Sequence, residues 1–109
     1  MKKLFFLLMI FSLNCFASDF ITAKQAVNYK NKTKTVCAKV VQVVKHNTIT
    51  YVNFDKKYPN QSFYLYISEP DGYIDLTLTN GKKVCSHGKI ELYKNKPMQK
   101  NPKSIMIMQ

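Results

Sequence analysis

The clearest pattern in the chain is a pair of runs rich in β-branched residues on either side of a short polar pair. Residues 35–45 (TVCAKVVQVVK) form the first run and residues 48–54 (TITYVNF) the second, with His46 and Asn47 at the junction. β-branched and aromatic side chains favour strands, and two such runs joined by turn residues are typical of a hairpin. The pattern therefore predicts two antiparallel strands with a turn near His46-Asn47.

The second half of the chain contains the pattern of three more strands. Residues 62–68 (SFYLYIS) alternate between two faces as a third strand, and residues 82–93 (KKVCSHGKIELY) form a fourth, in which Gly88 indicates a bulge or a sharp bend. Residues 94–97 (KNKP) are typical of a turn, after which residues 98–108 supply a broken fifth strand. The chain is therefore predicted to be mostly β.

One short helix is predicted at the start of this β region, over residues 22–29 (TAKQAVNY). Thr22 is a suitable N-cap with Gln25 three residues later, and Ala23, Ala26 and Val27 would share the buried side. A helix of this length is stable only when it packs against something else.

Two further segments separate the predicted strands. Residues 55–61 (DKKYPNQ) are polar with an internal proline and predict a loop. Residues 73–79 (YIDLTLT) alternate like a strand but occupy the position of a connecting helix, and the pattern leaves both alternatives open.

The first 17 residues have the pattern of a secretory signal peptide. Lys2 and Lys3 precede a ten-residue apolar run at 4–13, and small residues at Cys15 and Ala17 predict cleavage after Ala17. The run is too short for a transmembrane helix, so no stable membrane insertion is expected. Lipidation of Cys15 is disfavoured because Asn14 precedes it. We therefore expect a periplasmic or secreted domain over residues 18–109.

Charge narrows the partners that such a domain would attract. The chain has 17 lysines, no arginine and six acidic residues, and removal of residues 1–17 leaves a net charge of +9. A small body with this charge attracts polyanions such as nucleic acid, acidic glycans or anionic lipid. An AT-rich genome would also favour lysine codons, but it does not explain why so few acidic residues are present.

Two cysteines, Cys37 and Cys85, remain after signal cleavage. In an oxidising compartment they are expected to form a disulfide. His46 and His87 have no ligand-like spacing to them, so no metal site or cofactor is predicted.

Five strands with a glycine in the fourth, on fewer than 100 residues, fit an OB-type Greek-key barrel with a short N-terminal helix. In that topology the first and fourth strands are antiparallel neighbours. Cys37 and Cys85 would then face each other across the ladder, which agrees with a disulfide.

Three segments also resemble a known family when taken in order: residues 36–41 (VCAKVV), residues 51–63 with YVNF and YPNQSF, and residues 83–97 (KVCSHGKIELYKNKP). They are similar to small exported bacterial OB-fold domains described as nucleic-acid-binding-like, whose patterns include VCGKV, LNFG-x-PYPNQ-x-F and VCVTGKIELYKGKP. Ala38 and Asn95 replace glycines of those patterns. The resemblance implies an OB fold and nucleic-acid binding.

Binding OB folds use the outer face of their second and third strands, where aromatic rings stack on bases. The alternation of residues 48–54 and 62–68 predicts one inward face, formed by Thr50, Val52, Phe54, Phe63, Leu65 and Ile67. It predicts that the outward face carries Tyr51, Asn53, Tyr64 and Tyr66. The alternative is that they are ordinary sheet tyrosines without a ligand.

A group of lysines could neutralise phosphates beside such a face: Lys39, Lys45, Lys56, Lys57 and Lys89. Equally, they could form a solvated surface without a partner. In the 55–61 loop, Asn60 and Gln61 could contact a ligand, but the favoured interpretation is that Tyr58 and Pro59 pack over the barrel end.

Enzymatic function is not expected. The six acidic residues are scattered singly, no arginine is present, and no glycine-rich phosphate loop or serine elbow occurs. The sequence therefore predicts an exported basic OB-fold module that binds single-stranded nucleic acid without sequence preference. The alternative is an envelope module that binds a protein or an anionic glycan.

Overall fold

The computed structural model describes residues 19–68 and 76–108, so the predicted signal segment, residues 1–17, lies outside the described residues. The described residues form one all-β sheet with two short 3₁₀ helices, Ala26–Asn28 and Leu76–Thr79. The strands are β1 (Phe20–Thr22), β2 (Thr33–His46), β3 (Ile49–Phe54), β4 (Phe63–Ile67), β5 (Lys83–Lys89), β6 (Glu91–Tyr93), β7 (Lys96–Lys100) and β8 (Ser104–Ile107).

The long strand β2 organises the sheet by pairing on both sides. The strand order is β6-β7-β4-β3-β2-β5-β8, and β1 adds to β2 in parallel. The first half of β2 pairs antiparallel with β5 and its second half with β3. The register shifts between Val40 and Gln42, where a bulge separates the two ladders. Bulges increase local twist and bend a strand, so β2 can belong to both.

The sheet is strongly curled, because its strand order brings chain neighbours to opposite ends. β5 lies near one end of the order and β6 at the other, yet only Ile90 separates them along the chain. Ile90 is fully buried. Its N–H donates to the Lys32 carbonyl, and its own carbonyl accepts from the Asn31 N–H. One residue can join both ends only if the sheet curves back on itself.

The core fills the inside of this curl. Val52 and Phe54 of β3 and Phe63 and Leu65 of β4 are buried, which confirms the predicted inward face. The rings of Phe54 and Phe63 lie 5.4 Å apart between centroids. Other strands contribute further buried residues, namely Val36, Val40, Val84 and Ile90.

The predicted fourth and fifth strands are each divided into two. Glu91 pairs with Met98, and His87 pairs with Ser104. Three residues lie between His87 and Glu91, whereas five lie between Met98 and Ser104. The chain leaves the ladder there, and Asn101 has a φ of +49°. A Cβ on Gly88 would lie 3.2 Å from the Cα of Pro102, so the close approach of the detour explains the glycine.

Gln99 occupies the gap that the detour opens. Its side chain is fully buried, and its Nε2 donates to the carbonyls of Lys34 and Gly88, both at 3.1 Å. Its Oε1 accepts a hydrogen bond of 2.6 Å from Ser86 Oγ. The amide therefore connects the backbones of β2 and β5 to the strand that leaves the ladder.

The predicted N-terminal helix is shorter than expected. The reciprocal cap forms, since the Thr22 N–H donates to Gln25 Oε1 and the Gln25 N–H donates to Thr22 Oγ1. Only Ala26–Asn28 is helical, however, and Val27 is exposed rather than buried. The helix ends early because the residues that follow it pair with Ile90 in the sheet.

Of the ambiguous segment 73–79, residues 73–75 lie outside the described residues, and Leu76–Thr79 is a 3₁₀ helix. Thr79 Oγ1 donates to the Leu76 carbonyl at 2.6 Å. The helical alternative is therefore the observed one for this part.

Cys37 and Cys85 form a disulfide, as predicted. They are direct partners in the antiparallel β2–β5 ladder, with Cα atoms 4.0 Å apart. The predicted adjacency of the first and fourth sequence strands is therefore correct at this point.

We expect Gln99→Leu to lower the free energy of unfolding by about 2–4 kcal/mol, because two carbonyls lose a donor inside the protein. Urea unfolding followed by circular dichroism measures the change. The control is Gln25→Leu, which removes only an exposed local cap at a cost of about 1 kcal/mol or less. Equal effects of the two substitutions would contradict the role given to Gln99.

Reduction of the disulfide should lower the free energy of unfolding by up to about 4 kcal/mol, because the bond closes a loop with a sequence separation of 48 residues. Urea unfolding with and without reductant measures this, and mass spectrometry after alkylation counts the thiols. Two alkylated cysteines in unreduced protein prepared from an oxidising compartment would show that the bond does not form.

Candidate functional site

Three tyrosines on adjacent strands form one contact cluster on the outer face of the sheet. Tyr51 of β3 pairs directly with Tyr66 of β4, and Tyr64 lies two residues away on the same face. The ring of Tyr51 lies 5.6 Å from that of Tyr66, edge to face, and 6.2 Å from that of Tyr64. Edge-to-face and tilted pairs are favourable geometries for aromatic rings. The predicted outward phase of these tyrosines is therefore correct.

The three rings are less open than the sequence predicts. Tyr64 is only 9% exposed, whereas Tyr51 and Tyr66 are partly buried. Neighbouring side chains, among them Tyr51, cover the ring of Tyr64. It supports the rings beside it rather than offering a free stacking surface.

Two more tyrosines complete this surface, and the sequence analysis did not assign either to a binding face. Tyr58 in the loop before β4 is 71% exposed, and Tyr93 at the end of β6 is 60% exposed. Tyr93 shares the face of Tyr64, because Glu91, two residues before it, pairs with Met98, the β7 partner of Tyr64. The Tyr58 N–H bonds Gln42, which bonds Asn53, the β3 partner of Tyr64. We use the name tyrosine face for the five residues Tyr51, Tyr58, Tyr64, Tyr66 and Tyr93.

The position of Tyr64 at the centre of the tyrosine face affects its ionisation. Burial raises the pKa of its hydroxyl above that of a free tyrosine. The neighbouring hydroxyls of Tyr51, Tyr93, Tyr58 and Tyr66 raise that pKa further, because a second phenolate nearby would be repelled.

Two lysines outside the predicted set lie against rings of the tyrosine face. Strand β7 pairs in parallel with β4 and places Lys100 opposite Tyr66, with its Nζ 5.7 Å from the ring centroid. Lys94 Nζ lies 5.4 Å from the centroid of Tyr93. Both distances suit a cation–π contact. The sequence analysis could not place these lysines beside the tyrosines, because the pattern of the last strand gave neither its register nor its parallel pairing with β4.

The predicted lysines are exposed but spread over the molecule. Lys39 and Lys89 lie on the β2–β5 ladder, opposite Lys83 and Thr33 respectively. Lys45 lies near the β2–β3 turn, and Lys56 and Lys57 follow β3. Thr33 is eleven residues along β2 from Val44, the partner of Tyr51, so Lys89 is remote from the tyrosine face.

Asn53 does not present its amide to a ligand, contrary to its predicted outward role. It is 2% exposed and belongs to a chain of three amides. Its Nδ2 donates to Gln42 Oε1 at 2.9 Å, and its Oδ1 accepts from Gln61 Nε2 at 3.1 Å. Sequence alternation gives the face of a residue but does not show which neighbours cover it.

A backbone group fixes the orientation of all three amides. The Tyr58 N–H donates to Gln42 Oε1 at 2.9 Å, so that atom must be the oxygen. Asn53 must therefore present its NH₂ to Gln42 and its oxygen to Gln61, whose NH₂ then faces Asn53. The oxygen at the far end, Gln61 Oε1, is buried and has no hydrogen-bond partner within the part of the chain that the structure describes.

The loop that carries Tyr58 is held from the opposite side. Lys96 Nζ donates to the carbonyls of Pro59 and Gln61, at 2.8 Å and 2.7 Å. Tyr58 is exposed, so the expectation that it packs over the barrel end is wrong. Gln61 is 4% exposed and bonds Asn53 rather than a ligand in this structure.

Residues 19–68 and 76–108 contain no group of three histidine, cysteine or carboxylate side chains arranged to hold a metal ion. In the same residues, no helix has the length and apolar character needed to cross a membrane.

No protein-family model and no curated protein sequence matches this chain. Its backbone is similar to an OBody, AM1L10, solved bound to hen egg-white lysozyme, with a TM-score of 0.59, 14% identity, 82% of this chain and 90% of that chain covered. It is also similar to a protein of Leishmania major Friedlin assigned as an aspartyl-tRNA synthetase, with a TM-score of 0.57, 11% identity and 81% of this chain covered. This chain spans only 20% of that second protein. Likeness at such low identity concerns the fold alone.

Alkaline pH should destabilise the protein through Tyr64. Because its pKa is raised in the folded state, the folded protein keeps a proton that the unfolded chain loses above the ordinary tyrosine pKa of about 10. The associated stability is complete below that pH and is lost as pH rises through the folded pKa. Urea unfolding from about pH 8 to pH 11 should show a steeper decline in the parent than in Tyr64→Phe. Parallel profiles would contradict the assignment, because the lysines affect both proteins alike.

Proposed function

We propose that residues 18–109 form a five-stranded OB-type Greek-key barrel. Grouping β5 with β6 and β7 with β8 reduces the long strands to five: β2, β3, β4 and these two pairs. Antiparallel pairing of β2 with both β3 and β5, with parallel pairing of β4 and β7, supports this grouping. The backbone likeness to the OBody over 82% of this chain also supports it.

We propose further that this module binds single-stranded nucleic acid with little sequence preference. The observation that carries the proposal is the tyrosine face itself, four aromatic side chains near Tyr64 with Lys94 and Lys100 beside them. Every base has a π-face, so aromatic stacking tolerates sequence, and lysines contribute charge to phosphates without reading bases.

Within this face, exposure divides the tyrosines into three groups. Tyr58 and Tyr93 are the open rings on which bases would stack. Tyr51 and Tyr66 would supply partly covered ring surface between them, while Tyr64 holds the cluster together. The bound nucleic acid would therefore run across β3, β4 and β6 rather than along a single β-strand.

The compartment we propose is the periplasm or the exterior, after removal of residues 1–17. The signal-like pattern of those residues and the Cys37–Cys85 disulfide support it, because structural disulfides persist in oxidising compartments. The net charge of +9 on residues 18–109 would draw a polyanion from a distance. No enzymatic step is proposed.

The test is titration of a fluorescent oligothymidylate across salt concentrations. Tyr93→Leu should weaken binding by about 1–3 kcal/mol, because leucine keeps apolar bulk but cannot stack. The slope of log affinity against log salt should stay unchanged, since stacking releases no counterions, whereas Lys100→Gln should reduce it by about 0.7. Tyr93→Phe should bind like the parent.

The matched control is Leu78→Ala, another exposed side chain, on the second 3₁₀ helix and outside the tyrosine face. If folded Tyr93→Leu binds as tightly as this control, the stacking role is wrong. If an acidic glycan competes as well as the oligonucleotide does, the glycan-binding alternative is the better function.

A further inference from the structure

An open hollow lies next to the tyrosine face, at the turn between β6 and β7. Three separate parts of the chain line it: the segment after β1 with Lys24 and Val27, the loop before β4, and the hairpin turn. Its volume is about 310 Å³. This is close to the lower limit for small-molecule sites, and it suits a group of the size of one nucleotide.

The lining of the hollow is basic. Lys24, Lys94 and Lys96 contribute to it, and among residues 19–68 and 76–108 no carboxylate does. Lys96 is held in place by the carbonyls of Pro59 and Gln61, which use two of its three N–H donors. Ser62, which also lines the hollow, donates from its Oγ to the Asp55 carboxylate. An anion in the hollow would meet lysines from the segment after β1 and from the hairpin turn.

The hollow also contains the end of the amide chain. Gln61 lines it, but its Oε1 is closed off from solvent and has no hydrogen-bond partner among the described residues. The Tyr58 N–H fixes this atom as an oxygen, because the Gln42, Asn53 and Gln61 amides can only follow one another in one orientation. Recognition of a ligand in the hollow therefore rests on its lysines.

We propose that this hollow binds a phosphate monoester, either at the end of a nucleic-acid strand or in a free nucleotide. The dianionic monoester suits the three lining lysines better than an internal diester, which carries one charge. Lys94 touches both the hollow and the ring of Tyr93, so a strand on the tyrosine face would have its end within reach. Where the monoester is the end of a nucleic-acid strand, the inference rests on the proposed function.

The first experiment compares short oligothymidylates that differ only at their ends: hydroxyl at both ends, a 5′-phosphate, or a 3′-phosphate. One phosphorylated form should bind about tenfold tighter than the hydroxyl form. Lys24→Gln should remove this preference while leaving binding of the hydroxyl form nearly unchanged. Lys89→Gln changes charge equally but lies opposite Thr33, outside the hollow, and should retain the preference.

The second experiment uses a free nucleotide and does not depend on strand binding. Thymidine 5′-monophosphate should shift the backbone amide resonances of Val27, Gln61 and Asn95, whereas thymidine should not. The shifts should be absent in Lys24→Gln and present in Lys89→Gln. Val27 serves as an internal marker, because it lines the hollow but belongs to neither the amide chain nor the tyrosine face.

The two experiments separate the two proposals. Equal binding of all three oligothymidylates, with no shifts from the nucleotide, overturns the phosphate site and leaves the proposed function standing. Shifts from the nucleotide without any oligonucleotide binding support the site for free nucleotides and overturn the proposed function. Preference for a phosphorylated end that survives in Lys24→Gln would mean that the hollow does not bind the phosphate.

Discussion

The buried carboxamide of Gln99 bonds the carbonyls of Lys34 and Gly88 and accepts from Ser86 Oγ, where the last hairpin opens. A buried side-chain amide without hydrogen bonds would cost about 1–3 kcal/mol, and these three bonds avoid that cost at Gln99. With the amide held there, the strands beyond the gap take different partners. β8 remains on β5, while β7 turns to pair with β4, and the sheet curls.

The candidate site is a consequence of that divergence. Parallel pairing of β7 with β4 brings Lys100 beside Tyr66, and the tight turn that leads into β7 brings Tyr93 and Lys94 to the edge of the same face. The turn itself needs positive φ at Lys94 and Asn95, of +51° and +65°. Asparagine tolerates this region better than most residues, so Asn95 suits the second position of the turn.

A second polar network connects the bulge in β2 to the loop before β4. Gln42 follows the register shift, and through Asn53 it reaches Gln61, while Lys96 bonds the same loop from outside. Buried polar chains of this kind fix one geometry when nearly every member is satisfied. The loop is therefore bonded at Tyr58 by Gln42 and at Pro59 and Gln61 by Lys96. These bonds fix the backbone that presents the exposed ring of Tyr58.

By itself the sequence determined the features that depend on neighbouring residues. Alternation placed Val52 and Phe54 inside and Tyr51 outside, because successive side chains of a strand point to opposite faces. The spacing of Thr22 and Gln25 specified a local cap, which forms. The tertiary structure decided everything that depends on distant partners.

Distant pairing explains each difference between the sequence-based expectation and the structure. Asn53 is buried because side chains from β2 and from the loop before β4 close over it, and neither contact follows from its own strand. Lys100 joins the tyrosine face only because β7 lies parallel to β4, a choice made between strands more than thirty residues apart. The residue pattern of a strand shows which face of the sheet each side chain takes, but it does not show which strands lie on either side. The neighbouring strands are set by the pairing that satisfies the most backbone groups and buries the most apolar surface.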